Sequence, residues 1–165
     1  MRSLQRILAA VAVTVAAVVA TAHPAVAAPA KTTIFLKIAG IPGDSTDPKH
    51  LGEIELESFS FGVTNNGSGG GGAGGGSGKA VFGDLMVTKH VDSASPKLFL
   101  AAANGTHIAT AVLTVEKARR APMPYLTITF ENLLVSSFQT GDDMGGDTPY
   151  ESIAFNYAKL TYVKN

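Results

Sequence analysis

Three of the four histidines of this 165-residue chain, those beyond residue 27, a group of aspartates and a glycine tract are the residues whose types could support chemistry. His50, His90 and His107 stand far apart in the chain. No His-x-x-x-His or Glu-x-x-His spacing joins them, so the sequence pattern of a metal site is missing. A Ser/His/Asp triad is assembled in space and leaves no mark in spacing. The Gly-x-Ser-x-Gly elbow that would announce one kind of nucleophile is not present. Asp142, Asp143 and Asp147, with Gly141, Gly145 and Gly146, suggest a calcium loop but do not fit the Asp-x-Asp-x-Asp-Gly spacing, and read better as a solvated hairpin loop. The tract Gly67 to Gly78 is rich enough in glycine to suggest a phosphate cradle. It lacks the Gly-Lys-Ser/Thr ending and the following helix, and Lys79 alone does not supply them. Asn66-Gly67-Ser68 and Asn104-Gly105-Thr106 fit the glycosylation sequon, and fit a turn and a helix end better. The expectation is a chain with no catalytic residue, no metal ligand and no cofactor.

The first 27 residues read as a leader rather than as part of a fold. Arg2 and Arg6 form a basic start, and Ile7 to Ala22 is apolar apart from Thr14 and Thr21. Ala25-Val26-Ala27 supplies the small residues a signal peptidase needs, placing the cut between Ala27 and Ala28. A cut one residue later would put Pro29 behind the scissile bond. A spanning helix needs roughly 20 apolar residues, and this run has 16. No Arg-Arg pair opens the leader, which favours the general secretory route. The sequence therefore predicts a secreted protein with no stable membrane insertion after cleavage.

Without the leader, 138 residues remain, with eleven Lys and Arg against thirteen Asp and Glu, a net charge of −2. That balance excludes a nucleic-acid or anionic-membrane binder as the leading reading. A single domain over 28–165 is long enough to hold a core by packing, and the absence of Cys requires it to.

Hydrophobic alternation then sets the elements. Thr32 to Ile38 reads as a first strand, and Gly40 to Ser45 as turn chemistry. Glu53 to Asn65 reads as a long strand whose apolar phase changes at Glu57-Ser58, from Ile54 and Leu56 to Phe59, Phe61 and Val63. Such a change marks a bulge or a strand bending from one sheet to another. The tract 67–78 holds nine glycines in twelve residues and reads as a mobile arm, marked by Gly67, Gly70, Gly72, Gly75 and Gly78. Beyond it Val81, Leu85 and Val87 share one phase. Ser95 as N-cap, Pro96 at the first helical position and Gly105 past the end predict a helix over Pro96 to Ala103. Strands follow at Ala109 to Lys117, Tyr125 to Phe130, Leu133 to Gln139 and Ser152 to Val163. The fold class is all-β: a small two-sheet β-barrel of about seven to eight strands with one short flanking α-helix.

Several segments together resemble one family, the hemolysin-coregulated proteins (Hcp) that form the tube of type VI secretion systems. Ile38 to Ser45 is similar to the family's first turn, and Ile54 to Val63 to its second strand. The most specific segment is Leu85 to Leu98, with Thr88, Lys89, Asp92, Ser95 and Pro96 in place. Glu131 to Gln139 and Glu151 to Tyr162 resemble the closing strands, so the likeness runs from about residue 33 to 163. The resemblance implies a non-enzymatic structural protein that forms a homo-hexamer. Such rings stack into a tube whose lumen carries small effectors. It also implies that the glycine-rich arm contacts a neighbouring ring. One feature departs from the family pattern: tube subunits are assembled in the cytoplasm and carry no leader. The other function class these residues allow is a monomeric secreted binding module on the same barrel, acting at a cell surface outside any contractile machine.

The leader reading generates a direct outcome. Intact mass of the protein recovered from culture medium should match a chain beginning at Ala28. Full-length protein confined to the membrane fraction would contradict it.

Overall fold

A computed structural model describes residues 32–65, 79–117, 123–142 and 148–165. The leader, the glycines proposed for the arm and the aspartates Asp143 and Asp147 lie outside the described residues. Among the described residues nine strands and one helix form in chain order: β1 (Thr32–Ile38), β2 (Ile54–Leu56), β3 (Ser58–Ser60), β4 (Val63–Asn65), β5 (Ala80–Phe82), β6 (Leu85–His90), α1 (Ser95–Asn104), β7 (His107–Lys117), β8 (Met123–Gly141) and β9 (Tyr150–Lys164).

Seven of these strands make one antiparallel sheet in the order β2-β1-β7-β8-β9-β6-β3, and β4 pairs with β5 as a separate ribbon. The two edges of the large sheet are consecutive in the chain. β2 pairs with β1, while β3, one residue further on, pairs with β6. Glu57 lies between them and its N–H donates to Thr88 O at 2.8 Å. The phase change at Glu57-Ser58 is thus the seam where the sheet rolls nearly shut into a barrel. One side chain set fills the interior, from Leu36, Ile54, Leu85 and Leu98 to Leu113, Ile128, Leu133 and Phe155. The outer face of β1 is covered too, because the loop from 39 to 53 folds back over Phe35. Gly43 in that loop meets Glu53 O at 2.6 Å from where a Cβ would sit, so no side chain fits there.

Sequence reading divided Tyr125 to Gln139 into two strands, but β8 is continuous over 19 residues. The division has a physical source. Buried positions run Leu126, Ile128, Phe130, then Leu133 and Val135. The inward phase changes at Asn132, which has φ 53 and is the one non-glycine with positive φ among the described residues. The pairing ladders of both neighbours skip Asn132. Its Oδ1 lies 2.9 Å from His107 Nδ1 at the start of β7. The strand turns its face here without breaking. A second irregularity falls between Val135 and Ser137.

α1 packs against β8, burying Ser95, Leu98 and Ala101. It ends as its sequence requires, with Gly105 left-handed at φ 63 and its N–H bonded to Ala101 O. Its start differs from expectation. Ala94 holds the cap position with helical dihedrals, no side chain caps the helix, and Ser95 is the first helical residue. Pro96 stays in the first turn.

The strained position gives a test. Asn132→Val places a β-branched side chain at positive φ and should lower stability by about 1–2 kcal/mol. Asn132→Gly loses the same His107 contact but not the backbone tolerance, so its denaturant midpoint should lie well above that of the Val variant.

Candidate functional site

The alternation of β6 places Leu85, Val87 and Lys89 on the inward face. A lysine in that series is out of place unless the interior holds anions for it. β9 answers in register: Glu151, Ile153 and Phe155 are inward there, and Glu151 is the cross-strand partner of Lys89. Lys89 is 1% exposed and Glu151 2%. The ammonium sits 2.6 Å from Glu151 Oε2 and 2.8 Å from Asp92 Oδ1. It also donates to His90 O at 2.8 Å and to Ser95 Oγ at 3.0 Å.

Ser95 completes the cluster. Its hydroxyl donates to Glu151 Oε2 at 2.8 Å and accepts the Asp92 N–H at 3.0 Å. The oxygen expected to cap the helix is therefore committed to the buried ion pair. Asp92 Oδ1 instead accepts the Ala94 N–H at 2.9 Å and shapes the approach to the helix. The result is a clamp joining β6, β9 and the first turn of α1. Ser93 extends it outward: its N–H donates to Asp44 Oδ2 at 3.0 Å. Hydrogen bonding from the Ser93 side chain and backbone holds the Asp44 carboxyl below the usual carboxylate range.

The three histidines stay in three separate places. His50 stacks on Phe35 with ring centroids 4.1 Å apart and planes 7° from parallel. Its Nδ1 is 2.8 Å from Glu53 Oε2, and its Nε2 is 3.4 Å from Glu116 Oε1 without a well-aligned hydrogen bond. His50 thereby pins the 39–53 loop to the barrel wall. His90 is exposed, 3.1 Å from Thr148 Oγ1 and 3.6 Å from Glu57 Oε1. His107 meets Asn132 as described. Among the described residues no group of three or more His, Cys, Asp or Glu is placed to hold a metal ion. The Tyr157 hydroxyl is buried with no hydrogen-bond partner among the described residues, and burial pushes it above the usual phenol range.

Two strands, β4 and β5, precede and follow the glycine tract, which lies outside the described residues. β4 and β5 pair Val63 with Phe82, Thr64 with Val81 and Asn65 with Ala80. Every residue of this ribbon is exposed, including Val63, Val81 and Phe82 at more than half their surface. The ribbon continues β3 away from the barrel, with Gly83 N–H bonded to Gly62 O at 2.9 Å. A two-stranded ribbon with no covered face has little stability of its own. It presents backbone and apolar surface to whatever meets it.

Sequence reasoning missed the clamp as chemistry, although Lys89, Asp92 and Ser95 were prominent in the segment 85–98. The signal was available: Lys89 and Glu151 both occupy inward phases of strands otherwise filled by Leu, Val, Ile and Phe.

The described residues thus form a barrel with a packed interior, a charged clamp for its helix and an exposed ribbon. Residues 35–163 match the family described as "Type VI secretion system effector, Hcp". This chain belongs to that Hcp family. It is 41% identical over 128 residues to Protein hcp1 of Pseudomonas aeruginosa, covering 77% of this chain and 79% of that protein. The crystal structure of Hcp1 from Salmonella typhimurium superposes with a TM-score of 0.68 at 33% identity, over 78% of this chain and 83% of that one. A type VI secretion system effector from Yersinia pestis gives a TM-score of 0.65 at 29% identity, over 78% and 87%. A structure described as a type six secretion system protein reaches a TM-score of 0.76 at 34% identity, over 80% and 83%.

The clamp makes a graded prediction, read from denaturant midpoints. Lys89→Met strands Glu151 in the interior and should cost about 3–5 kcal/mol. Ser95→Ala removes one bond from each charged partner and should cost about 1–3 kcal/mol. Lys89→Met combined with Glu151→Leu removes both charges and should recover roughly half or more of the single-variant loss.

Proposed function

We propose that this protein is a secreted structural subunit of the type VI tube kind, one that assembles into hexameric rings and is not an enzyme. The observation that carries the reading is the family match from residue 35 to residue 163, which takes in the whole barrel wall, the clamp and the arm. The packed interior supports it, because side chains rather than a cleft fill the barrel. Any lumen must then be formed between subunits, and a ring of this kind encloses the space in which small effector proteins travel. The leader ending at Ala27 sends the subunit out by the general secretory route.

The arm at 67–78, marked by Gly67, Gly70, Gly72, Gly75 and Gly78, carries the contact between rings. Ordering such a segment costs about 1–2 kcal/mol per residue, so it gains order only where a neighbouring ring supplies hydrogen bonds. Closure entropy varies slowly with loop length. Deleting Gly69 to Gly76 should therefore change stability by less than about 0.5 kcal/mol, leave ring mass unaltered and reduce the stacking of rings in electron micrographs. Light scattering of the purified protein at micromolar concentration should give the mass of six subunits. A monomer mass under those conditions would contradict the reading and leave a monomeric binding module.

A further inference from the structure

Where β7 ends and β8 begins, two lysines converge on one aromatic ring. Lys117 Nζ lies 3.8 Å from the centroid of Tyr125, and Lys164 Nζ lies 5.9 Å from it. The register explains the convergence. Lys117 pairs with Met123 across the β7–β8 turn, and Lys164 pairs with Leu126 from the other side. Asn165 follows, its N–H bonded to Tyr125 O at 3.1 Å. Lys117, Tyr125 and Asn165, with Met123 and Pro124, line an open groove of about 320 Å³, and Lys164 stands near the same ring.

Most other lysines with a described role have settled it within the chain. Lys89 pairs with Glu151 and Asp92, Lys159 with Glu131, and Lys97 with a carbonyl. Among the described residues Lys117 and Lys164 have no carboxylate partner, only the ring between them. Two ammonium groups sharing one ring repel each other, and an anion entering the groove removes that cost. The sequence adds to the charge: Arg119 and Arg120 stand in the connection from β7 to β8, and no Asp or Glu occurs between Lys117 and Phe130.

The opposite end of the same β8–β9 pair is acidic. β8 runs from Met123, beside Lys117, to Gly141, where it meets Tyr150 of β9. The connection beyond carries Asp142, Asp143 and Asp147, and no Lys or Arg occurs between Phe138 and Ala158. The groove at the start of β8 and Asp142 just past its end cannot meet within one copy, because the 19 residues of β8 separate them. They can meet between copies related head to tail, which is the arrangement that different patches on one chain generate.

We propose that the groove at Lys117 and Tyr125, with Lys164 near the same ring, receives the acidic segment 142–147 of a second copy. This rests on the tube reading for its purpose, since it supplies an electrostatic contact between subunits in addition to the arm. It can fail or stand independently of that reading.

The test uses a labelled peptide spanning residues 140–149, titrated into the purified full protein. Nuclear magnetic resonance shifts should concentrate on Tyr125, Lys117 and Lys164. Affinity should fall several-fold as NaCl rises from about 50 to about 500 mM. Lys117→Glu with Lys164→Glu should weaken binding by about tenfold or more, with Lys117→Gln and Lys164→Gln intermediate. Both lysines are exposed, so thermal midpoints should stay at the wild-type value. In assembly, the Lys→Glu pair and an Asp142→Lys, Asp143→Lys pair should each lose salt-sensitive self-association, and mixing the two should restore it. Shifts elsewhere on the barrel, undiminished binding to the Lys→Glu pair, or a poly-glutamate decamer binding as tightly as the peptide would overturn the assignment. Ring mass at high salt, read separately by light scattering, reports on the tube reading alone.

Discussion

An ammonium group held in the interior of a β-barrel is the constraint on which the rest of this structure depends. Water-to-interior transfer of Lys89 is unfavourable unless its protons are all received. Here Glu151, Ser95, the His90 carbonyl and Asp92 receive them. Those acceptors come from the end of β6, the turn after it, the first residue of α1 and the start of β9. None of these segments can shift alone without exposing a buried charge to an apolar surround. A buried pair of this kind adds little net stability compared with a hydrophobic replacement, but breaking it is costly. Its effect here is to fix the position of α1 relative to β6 and β9.

That fixed position bears on the seam. β6 is the strand to which β3 attaches, and β3 continues β2 through Glu57. Holding β6 against β9 therefore holds the attachment site for the closing edge. The edges themselves are three residues long, which limits their use as templates for uncontrolled pairing. Outside this nearly closed unit stands the exposed β4–β5 ribbon. A rigid body with contact elements at its margins suits a repeated subunit, because heterologous contacts propagate only if each copy presents the same geometry.

Much of this was legible in the sequence, and the gaps have causes. The β-branched and aromatic content of Thr32 to Ile38 and the shared phase of Leu85 and Val87 revealed strands directly, and the phase change at Glu57-Ser58 located the seam. Pro96 and Gly105 framed the helix. The same alternation misled at Asn132, where positive φ shifts the inward phase inside a continuous strand. Propensity cannot distinguish that from a strand end. Ser95 fitted the cap pattern, but its hydroxyl oxygen is taken by Lys89 and the Asp92 N–H, a competition set by a residue 56 positions away in β9. The segment 85–98 contains three of the four clamp side chains, Lys89, Asp92 and Ser95.

Native-state amide hydrogen exchange at low denaturant tests most directly whether the clamp makes one unit of the barrel and its helix. The account predicts that the amides of Leu98 in α1, Val87 in β6 and Ile153 in β9 open with the same free energy, merging with the global transition. Exchange of Leu98 through a separate opening of much lower free energy, while Val87 and Ile153 stay protected, would contradict it.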